Sequence, residues 1–74
     1  MLTLGIDDDG LKRLRAEHPG TDTDKLLAQR IGMSVPAVNR VLRGVNRPGP
    51  QFLASIRETF GPQWFVELFK VVDE

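Results

Sequence analysis

Glycine and proline divide this chain into short segments, and that division limits what it can fold into. The segments between the breaks are about 8 to 12 residues long, and the breaks fall at residues 19–20, 32, 44, 48–50 and 61–62. No segment shows sustained alternation of apolar and polar residues with β-branched side chains, and connections this short suit a compact helical domain. The sequence therefore predicts an all-α fold of five helices, as a single domain over residues 1–74.

The length of the chain and its lack of cysteine set a second limit. Seventy-four residues bury a small core that barely offsets the entropy lost on folding, and no disulfide or thiolate metal site can reinforce it. Self-association is the reinforcement that remains. The absence of cysteine favours a reducing compartment, and the chain has neither a long apolar run nor an N-terminal signal pattern. We therefore expect a cytoplasmic protein that does not enter a membrane.

Residues suited to helix ends predict where each helix begins and ends. Acidic and hydroxyl side chains that suit N-caps precede the first three helices at Asp7 or Asp8, Thr23 and Ser34. Glycines that can end a helix follow at Gly32, Gly44 and Gly61. The fourth and fifth helices have prolines at first-turn positions, Pro50 and Pro62. Apolar residues at helical spacing predict the inward faces, namely Leu11, Leu14, Leu27, Ala28, Ile31, Phe52, Leu53, Ile56 and Phe60.

The charges of this formally neutral chain are unevenly distributed. Residues 25–57 contain no acidic residue and six basic ones, Lys25, Arg30, Arg40, Arg43, Arg47 and Arg57. This middle segment therefore carries a charge of +6, and the two flanks together carry −6. A local excess of positive charge is typical of a surface that binds a polyanion. Chance clustering on a solvated face is the alternative interpretation.

The third predicted helix separates its side chains into two faces. At about 100° per residue, one face carries Pro36, Asn39, Arg40 and Arg43, and the opposite face carries Val38, Val41 and Leu42. An arginine can bind guanine or a phosphate through two hydrogen bonds, and an asparagine can pair with adenine. A short helix with such a face fits the major groove of DNA, whereas an ordinary amphipathic helix with a solvated face is the alternative.

Residues 24–43 resemble the helix-turn-helix of the lambda-repressor-like (Cro/repressor) family of bacterial and phage regulators. Ala28 matches the small residue that lets the two helices approach, and Gly32 matches the glycine of the turn. The family's buried positions are matched by Leu27, Ile31, Met33, Val38 and Val41. Residues 44–48 look like the loop after the recognition helix. The resemblance implies a five-helix lambda-repressor-like domain with the helix-turn-helix in helices 2 and 3, most like a small phage Cro or repressor.

The same resemblance implies a transcriptional regulator that binds a palindromic operator as a dimer, as a Cro-like repressor does. The residues it assigns to the DNA bases are Ser34, Val35, Pro36, Asn39, Arg40 and Arg43. It assigns phosphate contacts to Asn46 and Arg47. The family often has a neutral residue where this chain has Asp24, so we assign that phosphate contact to Lys25. Because two early recognition positions are apolar here, we expect part of the specificity to come from DNA shape.

The last predicted segment, residues 62–72, is more apolar than one small core requires. Seven of the nine residues from Trp64 to Val72 are apolar. We expect the surplus to form a homodimer interface of Trp64, Phe65, Leu68, Phe69 and Val72. Pro62 and the spacing of Glu67 and Lys70 favour a helix here. A strand is the alternative, since some Cro proteins pair through a carboxy-terminal strand.

Other classes of function have weaker support in the sequence. An antitoxin or protein-interaction module would use the apolar C-terminal segment to bind another protein. An enzyme is disfavoured, because the chain has no cysteine, no tyrosine and no glycine-rich phosphate loop. The only histidine, His18, precedes a proline at a helix end, where we expect it to be exposed. Asp7, Asp8 and Asp9 suit the helix dipole better than a metal ion, so we expect no cofactor, no metal and no small-molecule ligand.

Overall fold

The computed structural model describes residues 1–73, which form five helices and a two-stranded sheet. In chain order the elements are β1 (Leu2–Ile6), α1 (Asp8–Glu17), α2 (Asp24–Ile31), α3 (Val35–Leu42), α4 (Pro50–Phe60), α5 (Trp64–Glu67) and β2 (Phe69–Asp73). The strands pair antiparallel, with Leu2 opposite Asp73 and Ile6 opposite Phe69. Five helices are confirmed, but the all-α class is wrong. Glu74, the last residue of the predicted domain, lies outside the described residues.

The predicted ends of the first four helices are confirmed. At each predicted N-cap a side-chain oxygen accepts a hydrogen bond from the backbone N–H three residues later, at Asp7 (3.1 Å), Thr23 (3.2 Å) and Ser34 (3.3 Å). Gly32 and Gly44 follow α2 and α3 with φ angles of 72° and 79°, a conformation that costs glycine little. Local backbone chemistry is therefore sufficient to set these boundaries.

One apolar core joins the helices to the sheet. Its buried side chains are Ile6, Leu14, Leu27, Ala28, Ile31, Val38, Val41, Phe52, Ile56, Phe60, Trp64, Leu68 and Phe69. The inward faces predicted for the first four helices all contribute, with Leu11, Leu42 and Leu53 partly buried at the margin. Among residues 1–73, no helix is long and apolar enough to cross a membrane.

The helix predicted for residues 62–72 is wrong over most of its length. α5 is only four residues long, and the chain enters β2 at Phe69. The strand alternative is therefore confirmed only from Phe69 onward, where consecutive valines at 71 and 72 favour extended backbone, and this strand pairs with β1 of the same chain. Its partner β1 was missed, although leucine and isoleucine alternate with threonine and glycine over residues 2–6. That alternation was the available signal for a strand.

A close contact between α1 and the end of α5 holds the two ends of the chain together. Gly10 is buried, and a Cβ atom at this position would overlap the carbonyl oxygen of Glu67. The N–H of Asp7 donates a hydrogen bond to the carbonyl oxygen of Leu68 at 2.8 Å. Arg13 Nη2 forms an ion pair with Glu67 Oε2 at 2.7 Å. These contacts place β1, which precedes α1, beside β2, which follows Leu68.

Gly10→Ala is expected to destabilise the protein, although alanine is the better helix former. Helix propensity favours alanine by about 0.5–1 kcal/mol, but the new methyl group meets backbone atoms that cannot move aside. We expect a net loss of about 2 kcal/mol in the free energy of unfolding, as in other overpacked cores. Urea denaturation followed by circular dichroism measures it. Gly49→Ala is the control, because Gly49 has a negative φ and open space around it, so only the smaller loss of a favourable N-cap residue is expected there. Equal stability of the two variants would contradict the close contact.

Candidate nucleic-acid interface

α2 and α3 form the helix-turn-helix expected over residues 24–43. A tight turn joins them, in which the N–H of Met33 donates a hydrogen bond to the carbonyl oxygen of Ala28 at 3.0 Å. Ala28 and Val38 are fully buried, so small side chains let the two helices pack closely. Val41 completes the inner face of α3. The core thus fixes which face of α3 points away from the protein.

The outer face of α3 is open to solvent. The base-contact residues predicted on it or beside it are exposed, with the exception of Asn39; they are Ser34, Val35, Pro36, Arg40 and Arg43. Within the part of the chain that the structure describes, Arg40 and Arg43 form no ion pair. Both guanidinium groups are therefore available to an anionic partner.

Asn39 lies on the same helix but is already hydrogen-bonded within the protein. It is half-buried, and its Nδ2 donates to Asp24 Oδ2 at 2.7 Å. The other carboxylate oxygen of Asp24 accepts from Arg15 Nη2 at 3.0 Å. The sequence predicted no link between these residues, because they are separated along the chain and lie on three different helices. Asn39 thus presents a partly engaged amide at the candidate interface.

The loop that follows α3 lies beside the sheet. The backbone N–H groups of Val45 and Asn46 both donate to the carbonyl oxygen of Arg40, at 2.9 and 3.2 Å. Asn46 and Arg47, the two predicted phosphate contacts in this loop, are exposed. A groove of about 260 Å³ runs between the loop and the sheet, and its charged and amide-bearing lining residues are Asp8, Arg43, Asn46, Arg47 and Lys70.

Lys70 was missed as a candidate for DNA binding. The sequence interpretation placed it on a helix, as the partner of Glu67, whereas in the structure it lies on β2 opposite Gly5. The strand brings its exposed side chain to the groove that Arg43 and Arg47 also line. Only the pairing of β1 with β2 reveals this placement, so no local pattern could have found it.

The six basic residues of the middle segment do not share one surface role. Lys25 is exposed in the first turn of α2. Arg30 instead supports the fold, since its Nη1 donates to the carbonyl oxygen of Pro19 at 3.1 Å. Its guanidinium carbon also lies 5.7 Å from the centre of the Phe60 ring, within range of a cation–π interaction. Arg57 has Glu58 at 4.0 Å. The candidate interface therefore depends on fewer cations than the sequence indicated.

Three of the five residues predicted for the dimer interface belong to the core. Trp64, Leu68 and Phe69 are at most 7% exposed, so they cannot form a subunit surface. Phe65 is exposed and Val72 is half-buried. The expectation that His18 is exposed is wrong, because its side chain is half-buried, with its ring centre 4.7 Å from that of Phe60 and 5.9 Å from that of Trp64. One domain core accommodates more of this apolar segment than the sequence indicated.

A different apolar surface lies on the sheet. Leu2 and Val71 are 71% and 64% exposed, and Leu4, opposite Val71 in the sheet, is also exposed. Phe65 stands next to Leu4 at a cavity of about 210 Å³ whose lining also includes Leu53 and Phe69. We call Leu2, Leu4, Phe65 and Val71 the apolar sheet surface.

A helical domain whose second and third helices meet at a tight glycine turn, with a basic outer face, is a helix-turn-helix domain. The sequence profile of the family described as Helix-turn-helix matches residues 11–65. The chain therefore belongs to this lambda-repressor/Cro-like helix-turn-helix family, and this membership indicates a DNA-binding regulator. Comparisons with curated proteins and with solved structures give no significant match.

Ser34→Ala is expected to destabilise the start of α3. The hydroxyl oxygen of Ser34 accepts the N–H of Ala37, and removal of an N-cap of this kind costs about 1 kcal/mol. Ser34→Asp is the matched variant, because aspartate also caps helices and should keep most of the stability. Thermal unfolding followed by circular dichroism compares them. A loss of similar size in both variants would contradict the capping role.

Proposed function

We propose that this protein is a Cro-like transcriptional repressor in the cytoplasm, which binds a palindromic operator as a dimer through the major groove. The observation that carries the proposal is the two-sided α3. Val38 and Val41 fix it to the core, and Arg40 and Arg43 project from the opposite face. Eight residues of helix with this orientation suit entry into the groove, as in other helix-turn-helix proteins.

Direct readout of bases is assigned to the exposed face of α3 and to its N-terminus. Arg40 can bind the O6 and N7 atoms of guanine through two hydrogen bonds. Val35 and Pro36, at the start of the helix, offer exposed apolar contacts to a thymine methyl group. Ser34 stands at the N-cap of α3 and Arg43 at its C-cap, and both are assigned to base contacts.

Contacts to the DNA backbone are assigned to residues on both sides of α3. Lys25 lies at the start of α2, Asn46 and Arg47 lie in the loop after α3, and Lys70 lies on the neighbouring strand. Lysine and arginine contacts of this kind release counterions from DNA, so affinity should fall steeply as salt is raised. These contacts orient the protein on the duplex, whereas α3 selects the sequence.

Arg40→Ala and Arg47→Ala should weaken DNA binding in different ways. Loss of Arg40 should reduce the preference for operator over random duplex by about 1–3 kcal/mol, because a base contact is removed. Loss of Arg47 should weaken all duplexes about equally and reduce the slope of log affinity against log salt by about one. Fluorescence anisotropy across a salt series measures both.

Arg57→Ala is the control for these two variants. It removes the same charge from an exposed position on α4, which the proposal leaves outside the interface. If Arg40→Ala keeps the operator preference of the parent, or if Arg57→Ala loses it, the assignment of α3 as the reading element is wrong.

The apolar sheet surface is proposed to bind a second copy of the chain. Two strands alone make a marginal sheet, and in the described residues each strand has one edge with no strand beside it. Apolar side chains on this sheet and on α5 would be covered by the same surface of a partner in a two-fold dimer. Such a dimer would present two recognition helices to half-sites about 34 Å apart on one face of the duplex.

Leu4→Lys is expected to weaken the dimer by at least about tenfold in its dissociation constant, because a charge would be placed in an apolar interface. Leu26→Lys is the matched control, since both leucines are 38% exposed and Leu26 lies on α2, away from the sheet. Sedimentation equilibrium of parent and variants measures the association. If both variants associate as the parent does, the sheet is not the interface.

The same surface supports the second candidate function, an antitoxin or other protein-interaction module. In that case the parent chain would be monomeric and would form a stoichiometric complex with a different protein. Leu4→Lys would abolish that complex without DNA being present. Sedimentation of the purified parent therefore separates the two functions first.

A further inference from the structure

The side chain of Asp24 links three helices at the candidate interface. Asp24 is the first residue of α2; its Oδ1 accepts a hydrogen bond from Arg15 of α1 at 3.0 Å, and its Oδ2 accepts one from Asn39 of α3 at 2.7 Å. The side chains of Arg15 and Asp24 are 27% and 31% exposed. Hydrogen bonds in which one partner is ionised are shorter and stronger than those between neutral groups. Asp24 is therefore a fixed acceptor beside the recognition helix.

This contact determines how the amide of Asn39 is oriented. A carboxylate offers only acceptors, so the amide nitrogen of Asn39, and not its oxygen, must face Asp24. That nitrogen carries two hydrogens, and Asp24 accepts one. The second hydrogen and the carbonyl oxygen remain, and together they are the donor and acceptor with which an asparagine binds N7 and N6 of adenine.

We propose that Asp24 is a positioning residue that holds Asn39 ready to read one base pair, an inference that rests on the proposed DNA-binding function. An oriented amide loses less conformational freedom on binding than a free one does. A carboxylate near phosphates also repels DNA of every sequence. Asp24 therefore lowers affinity for random DNA while raising selectivity at the base pair that Asn39 contacts.

The test compares base preferences position by position. The parent chain first selects duplexes from a randomised library, and the enriched sequence then serves as the probe beside a scrambled duplex of equal composition. In Asn39→Ala, the ratio of affinities for the preferred and the substituted base should fall by about fivefold or more at one base pair. Asp24→Ala should lose the preference at that same base pair, keep the others, and bind the scrambled duplex at least as tightly as the parent.

Two further variants separate the effect of the Asp24–Asn39 hydrogen bond from the effect of the negative charge of Asp24. Asp22→Ala removes an exposed carboxylate two residues earlier in the chain, so it should strengthen binding to the scrambled duplex without altering any base preference. In an Asn39→Ala background, Asp24→Ala should cause no additional loss at the affected base pair, because its effect passes through Asn39.

A purely structural role for Asp24 would give a different result. The Asp24→Ala variant would then melt at a lower temperature and bind all duplexes more weakly by the same factor, with its base preferences intact, and that result would overturn the inference. If Asp24→Ala does not fold, Asp24→Glu takes its place. It retains the charge near the start of α2 but moves the carboxylate by one methylene, and it should still lose preference at that base pair alone.

Failure of the inference is distinguishable from failure of the proposed function. If the parent chain enriches no sequence from the library, the proposed operator binding fails and the inference falls with it. If the parent enriches a sequence but Asp24→Ala and its glutamate counterpart keep the full preference at the base pair lost in Asn39→Ala, the regulator stands and the positioning role is wrong.

Discussion

The approach of α1 to the end of α5 is the constraint on which the rest of the structure depends. Because Gly10 has no side chain, the backbone of α1 contacts the carbonyl group of Glu67 directly. The hydrogen bond from Asp7 to Leu68 then joins the start of the first helix to the end of the last. β1 enters this junction and β2 leaves it, so the two strands lie side by side as an antiparallel pair. The sheet, its groove and its apolar surface therefore all follow from one close backbone contact.

The sequence predicted those features that depend on neighbouring residues. Helix caps such as Thr23, turn glycines such as Gly32, and the two faces of α3 are set by interactions within a few positions, and each of these is present. The C-terminal strand was predicted only as an alternative, and its pairing with β1 was missed, because that pairing joins opposite ends of the chain. The same reason explains Asn39: its helix face was assigned from periodicity, but its bond to Asp24 exists only after three helices pack together.

The charge distribution illustrates the difference between a sequence and a surface. The middle of the chain is uniformly basic in sequence, yet Arg30 is engaged with Pro19 and Phe60, while Lys70, outside that segment, lies beside the loop that follows α3. An acidic residue, Asp24, accepts a hydrogen bond from Asn39 of α3. Selectivity in this small domain is thus proposed to arise from where a few charges are held, and not from their total.

The pairing of the first strand with the last also has a consequence for the order in which the protein forms. During synthesis the helix-turn-helix leaves the ribosome while β1 still has no partner, since β2 comprises Phe69–Asp73. Local helices form within microseconds, whereas contacts between distant parts of a chain form later. The surface proposed for dimerisation therefore cannot form until β2 has been synthesised, whereas the residues proposed to contact DNA bases lie within residues 34–43 and are synthesised earlier.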